Sequence, residues 1–192
     1  MSESTPEDEA DFALMVRVKA GDAGAFRELV ERHQNRVVGT VAKMLGNDRD
    51  AEDVAQQVFV RVWKSAGRYE PRAKFTTWLM TITRNLVFNE VRRRDRARMI
   101  SMDEEAKSSG REMADARMRT ASQEALNDEL REAVDAAIRA LPEAQRMAVV
   151  LRRYEGMPYD EIAKVLETTV PAVKSLLFRA RADLKVALAE FL

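Results

Sequence analysis

Apolar side chains return every three or four residues along most of this chain, and the one long stretch where they do not, Met99 to Ser122, divides it in two. That step is the period of an α-helix packed on one side. Phe26, Leu29, Val30, Val37, Val41 and Leu45 keep it in the first part, and Leu126, Leu130, Val134, Ala137, Ile138 and Leu141 keep it in the second. Only 7 glycines and 5 prolines interrupt 192 residues. The pattern predicts an all-α fold of two small helical domains joined by a flexible linker. The expected divisions are an acidic disordered N-terminus over 1–10, a domain over 11–98, the linker over 99–122 and a domain over 123–192.

Charge sharpens the division. Formal net charge is zero, with 32 basic and 32 acidic residues, so the chain is no histone-like polycation. The balance is a sum of unlike segments. Arg84, Arg92, Arg93, Arg94, Arg96 and Arg98 face only Glu90 and Asp95 in their stretch, whereas acids outnumber bases from Met99 to Ala133. Cysteine is absent, which removes disulfides, thiolate chemistry and cysteine-ligated metals, and points to a reducing cytoplasmic setting. Glu3, Glu7, Asp8, Glu9 and Asp11 crowd the first residues without a base, unlike a secretory leader. No apolar run approaches the ~18 residues of a membrane span, so no membrane insertion is expected.

In the first domain a short helix is expected from Phe12 to Ala20 and a longer one from Ala25 to Leu45, stopped by Gly46. Asp50 stands where the next helix needs a cap. Val54, Ala55, Val58, Phe59, Val62 and Trp63 then make a core face, opposite Asp53, Gln56, Gln57, Val60 and Lys64. Val60 is thus an apolar side chain ringed by polar ones, a surface able to receive a partner helix. The loop from Gly67 to Lys74 sets Tyr69 among Arg68, Arg72 and Lys74; its ring could stack on a base or could anchor the loop. A helix from Phe75 to Arg94 buries Phe75, Leu79, Ile82 and Leu86, with Asn85 at the stripe's edge. Six arginines without a lysine over 84–98 suit phosphate binding.

In the second domain, helices are expected over Gln123–Ala140 and Glu143–Tyr154, and a short one over Tyr159–Leu166. Thr169 then caps a last helix with Pro171 in its first turn. That helix buries Val173, Leu177, Ala180 and Leu184 and exposes Lys174, Ser175, Phe178, Arg179, Arg181 and Lys185. A short helix, a three-residue turn and a basic-faced helix form the helix-turn-helix pattern, sized for the major groove. Catalysis is not expected. The single histidine, His33, reads as a surface side chain between Arg32 and Gln34, no glycine-rich phosphate loop occurs, and no cofactor or metal site stands out.

The segments DAEDVAQQVFVRVWKS and KFTTWLMTITRNLVFNEVRRRDR resemble region two of bacterial extracytoplasmic function (ECF) sigma factors, members of the sigma-70 family. LPEAQRMAVVLRRYEGMPYDEIAKVLETTVPAVKSLLFRARADL is similar to their region four. The resemblance implies a protein that binds core RNA polymerase, directs it to promoters and helps to open the DNA. It implies that Asp53, Gln56, Gln57 and Val60 dock on the clamp helices of the largest polymerase subunit. Arg68, Tyr69, Arg72, Lys74, Asn85, Arg92 and Arg93 would meet the −10 element, and Lys174, Ser175, Phe178, Arg179 and Arg181 the −35 element. An anti-sigma protein is an expected partner. The rival reading, a stand-alone helix-turn-helix regulator, accounts for the second domain and leaves the first without a purpose.

Overall fold

The computed structural model describes residues 5–70, 74–105 and 123–191. Among them are eight α-helices: α1 (Pro6–Lys19), α2 (Ala23–Leu45), α3 (Asp48–Ser65), α4 (Phe75–Glu105), α5 (Gln123–Ala140), α6 (Glu143–Arg153), α7 (Tyr159–Val165) and α8 (Val170–Ala187). The described residues contain no strand, as the periodicity predicts.

Helix α1 begins earlier than expected, and residues 6–10 are helical rather than part of a disordered tail. The signal is local. Thr5 accepts from the Asp8 backbone N–H, the Asp8 carboxylate accepts from the Thr5 N–H at 2.9 Å, and Pro6 occupies the first turn. Glu7, Asp8 and Glu9 then lie at the positive end of the helix dipole, so acidity here starts a helix. Helix α3 likewise begins at Asp48, two residues before the expected cap. Asp50 instead accepts from the Asn47 side chain and pairs with Arg94.

In the N-terminal half α2 packs on α1 and α3, and α4 lies against both α2 and α3. Leu29, Val37, Val41, Val58, Val62 and Leu79 are fully enclosed between them. At ~1.5–3 kcal/mol for each such side chain, this contact holds the half together. Beneath it His33 is 6% exposed, contrary to the surface reading. Its Nε2 lies 2.8 Å from the buried Asp11 carboxylate, and its ring packs 5.1 Å from Phe75. The reason is register: His33 follows Leu29 by four residues on the same buried stripe of α2.

The buried face of α4 also differs from expectation. Phe75 and Leu79 are buried, but Met80, Thr83 and Val87 join them, while Ile82 and Leu86 are only partly covered. The helix continues through Glu105, past the expected linker start. Residues 95–105 change in charge but contain neither glycine nor proline, and charge alone does not end a helix. The remainder of the expected linker, 106–122, lies outside the described residues.

In the C-terminal half α8 packs on α6, α7 and α5. Ile162, Met147, Leu151 and Val173 are enclosed and belong to the same buried apolar cluster as the N-terminal core. Helix α6 rests on α2, and α7 on α4.

Gly46 closes α2 with φ +69°, a left-handed conformation that disfavours a Cβ. A Cβ there would also stand 2.2 Å from Arg139 Cδ. Gly39, inside α2, has nothing within 4 Å of its Cβ position. Gly46→Ala should therefore cost about 1–2 kcal/mol, and Gly39→Ala should stabilise by about 0.4–1 kcal/mol. Urea titrations of the two variants should move their midpoints in opposite directions.

Candidate nucleic-acid and protein interfaces

Three exposed surfaces carry the residues singled out by the sequence. On α3, Asp53, Gln56, Gln57 and Lys64 are exposed, and Val60 is 53% exposed among them. Trp63, expected in the core, is 39% exposed one turn further along, with its ring 5.0 Å from Phe26. The apolar part of this face is thus larger than a single valine. The signal was in the spacing, since positions 60 and 63 share one flank of a helix.

The second surface is the loop after α3 and the helix that follows. Tyr69 is 5% exposed, with its ring edge-on to Trp78 at 5.1 Å and close to Phe75. Burial, reinforced by Asp11 and Asp8, pushes its hydroxyl pKa up. The ring is therefore an anchor for the loop and is not available to stack on a base. Arg68 remains exposed, and Arg72 lies outside the described residues. Lys74 is held: its Nζ is 3.1 Å from Asp8 and 3.6 Å from Glu161 of α7. The Asp8 contact, with Glu161 behind it, raises the lysine's pKa against its partial desolvation. Asn85 is exposed on α4.

The arginine cluster divides by role. Arg94 is bound to Glu90 at 2.9 Å and to Asp50, and so ties α4 to the start of α3. Arg84, 12% exposed in its side chain, donates to the Val165 carbonyl at 3.0 Å and pairs with Glu167 at 2.6 Å. These two arginines are structural, which corrects the reading of the cluster as one phosphate-binding set. Arg92, Arg93 and Arg96 face solvent. Arg93 shares Glu90 with Arg94, and these bonds, Arg93's foremost, hold the Glu90 carboxyl down to about 2.

The third surface is the outer face of α8. Thr169 accepts from the Ala172 N–H at 3.3 Å and Pro171 sits in the first turn, as the sequence predicts. Pro158, by contrast, starts α7 without a side-chain cap. Val173 and Ala180 point inward and are fully buried, which turns Lys174, Ser175, Phe178, Arg179 and Arg181 to solvent. Phe178 is 76% exposed in the middle of that basic face. A large ring with basic neighbours can contact a thymine methyl while the cations meet phosphate and base edges. The turn between α7 and α8 includes Glu167 at φ +52°, a left-handed position for a residue with a Cβ.

Among the described residues no helix is long and apolar enough to cross a membrane, and no acidic or histidine cluster could hold a metal ion.

Two family models match separate parts of the chain. The family model for sigma-70 region 2 matches residues 29–97, and that for sigma-70 region 4 matches residues 131–184. The RNA polymerase sigma-H factor of Pseudomonas aeruginosa is 33% identical over 184 residues, 94% of either chain. The ECF RNA polymerase sigma-E factor of Haemophilus influenzae is 34% identical over 175 residues, 89% of this chain and 91% of that one. The solved structure of CnrH in complex with the cytosolic domain of CnrY is similar over 94% of this chain and 98% of CnrH, at 27% identity and a TM-score of 0.68.

The anchoring of Tyr69 has a measurable consequence. Tyr69→Ala should destabilise the fold by about 3–5 kcal/mol, as for other buried aromatic rings, whereas the exposed Arg68→Ala should stay within about 0.5 kcal/mol. Denaturant unfolding followed by circular dichroism separates the two. Equal stability of both variants would return Tyr69 to the surface.

Proposed function

The chain belongs to the sigma-70 family, in its ECF branch, and from that premise we propose how its three surfaces divide the work of starting transcription. The protein binds core RNA polymerase, directs it to promoters through the −10 and −35 elements and promotes DNA melting. It acts where the polymerase acts, in the cytoplasm, and phosphoryl transfer belongs to the polymerase. The observation that carries the assignment is the exposure on one chain of two faces that folding alone would not leave so: Val60 with Trp63 on α3, and Phe178 amid cations on α8.

In this reading the α3 face, with Asp53, Gln56, Gln57 and Val60, docks on a helical part of the polymerase, where the apolar side chains lose water and the polar ones fix register. Asn85 captures an unstacked base of the −10 element. A neutral amide both donates and accepts, so it reads a base edge without the desolvation cost of a charge. Arg68, Arg92 and Arg93 hold the adjacent backbone. Lys174, Ser175, Phe178, Arg179 and Arg181 enter the major groove at the −35 element. A protein that restrains the sigma factor is a natural regulator, and CnrH, 27% identical, is solved with the cytosolic domain of CnrY.

Run-off transcription with core polymerase on genomic fragments, followed by mapping of start sites, tests the function as a whole. Val60→Asp should leave helicity unchanged, because the site is exposed, and weaken core binding by placing a charge where water must be removed. A binding titration with circular dichroism checks both halves, and unchanged affinity would remove α3 from the interface.

On α8, Arg179→Ala should cost about 1–3 kcal/mol and relax preference at one −35 position if the guanidinium pairs with a base edge. Lys174→Ala should weaken all sequences alike and lower the salt slope by about one unit. Binding to specific and random duplexes across a salt series distinguishes them, and identical behaviour of both variants would mean that neither residue reads sequence.

A further inference from the structure

The stripe that helix α1 turns inward is apolar at one end and acidic at the other. Leu14, Met15 and Val18 are buried toward its C-terminus, and Asp11 and Asp8 continue the same stripe toward its start, Asp11 buried and Asp8 largely so. A carboxylate set on a packing face loses water and needs partners. Asp11 meets His33 at 2.8 Å and Arg32 at 3.4 Å, both on α2. Asp8 serves twice. Its Oδ2 accepts from the Thr5 backbone N–H at 2.9 Å, which caps α1, and lies 3.1 Å from Lys74 Nζ.

Lys74 immediately precedes α4, and its carbonyl accepts from the Trp78 N–H at 3.2 Å, a bond of that helix's first turn. Holding Lys74 therefore holds the base of α4. The other flank of the loop is held from the same side. Helix α1 packs on the 3-10 turn over Ala66–Arg68 as well as on α4, and Tyr69 after that turn lies against Phe75 and Trp78. Phe75 in turn rests on His33. Glu161 of α7 stands farther from Lys74, at 3.6 Å, whereas Asp8, Lys74 and Tyr69 make their contacts within the N-terminal half alone. Arg68 adjoins the buried tyrosine, and Asn85 follows Lys74 by about three turns of α4.

We propose that Asp8 is a positioning residue for promoter opening: its carboxylate seats Lys74, fixes the base of α4 against the loop's other flank and so presents Arg68 and Asn85 to the −10 element in one arrangement. The proposal rests on the sigma-factor reading of Asn85. Capture of an unstacked base offsets the cost of unstacking best when the receiving groups need little ordering of their own. Lys74 thereby has a role other than contact with phosphate, and the two roles make opposite demands on Asp8. A lysine that meets DNA is freed when its carboxylate partner is removed, whereas a lysine that seats a helix is displaced.

Asp8→Asn separates the two roles, because an amide oxygen still accepts from the Thr5 N–H and keeps the cap, while the charge that holds Lys74 is gone. Permanganate footprinting with core polymerase and the full chain should show promoter opening slowed severalfold by Asp8→Asn and by Lys74→Gln alike, with the double variant no slower than either. Asp8→Glu, which keeps both charge and cap, should restore opening. A template mismatched across the −10 region should remove the defect, since its bases are already unpaired, and a core-binding titration should show unchanged affinity. Amide exchange in the free chain reads the seat without polymerase: the Trp78 N–H should exchange severalfold faster in Asp8→Asn, while amides in the middle of α2 keep their protection. Opening as fast or faster in Asp8→Asn, additive losses in the double variant, an equal defect on the mismatched template or unchanged exchange at Trp78 would each overturn the proposal. An unsubstituted chain that opens no promoter with core polymerase refutes the sigma-factor reading and the proposal with it, whereas unchanged exchange refutes the proposal alone.

Discussion

Helix α4 has to satisfy two neighbours at once, and much of the molecule follows from how it does so. Its inner side packs on α2 and α3, where Phe75, Leu79 and Val87 close the N-terminal core. Its other side receives α7, through Thr77, Arg84 and the buried carboxylate of Glu161. A helix covered on only one side would bury a narrow stripe at steps of three and four. Covered on two, it buries Thr77 as well, whose hydroxyl donates to the Glu161 carboxylate at 3.2 Å. The loop before α4 is drawn in by the same contact, because Tyr69 leans on Trp78 and Phe75.

That double burial marks the limit of what the sequence discloses. Helices bounded by local signals are legible in it: Gly46 after α2, Thr169 and Pro171 at the start of α8, and α5 over its whole length from Gln123 to Ala140. The inward and outward faces of α8 also follow from period, and so do those of α3 apart from Trp63, which period sets toward the core and the structure leaves 39% exposed. What sequence cannot disclose is a partner supplied from far along the chain. His33 looks exposed because its neighbours are polar, yet Asp11, 22 residues earlier, meets it inside the bundle. Arg84 and Arg94 look like members of a basic patch until Glu167 and Asp50 are seen beside them. The N-terminal acids are a different case. Their capping pattern was present in Thr5, Pro6 and Asp8, and a reading by charge alone passed over it.

The zero net charge takes its meaning from these pairings. Arginines and lysines that contact carboxylates inside the fold contribute specificity of packing and little long-range field. Arg146 shows the extreme case: burial lowers its pKa, and its guanidinium bonds the backbone carbonyls of Met44 and Leu141 at 2.6 and 3.0 Å. One cation thus holds the end of α2 to the start of α6. Among the described cations that still face solvent are Arg92, Arg93 and Arg96 along α4 and Lys174, Arg179 and Arg181 along α8. The outer strips of α4 and α8 are therefore two of the surfaces that remain open to a polyanion.

Two strips on separate helices set a requirement that neither could meet alone. A single basic helix face binds one groove, and its affinity is dominated by phosphate contacts that carry no sequence. Joining a second reader to it makes the second encounter intramolecular, so that selectivity multiplies when both elements are present at the right spacing and is lost when they are not. The gain depends on freedom between the halves, because a rigid body of the wrong span would forbid simultaneous engagement.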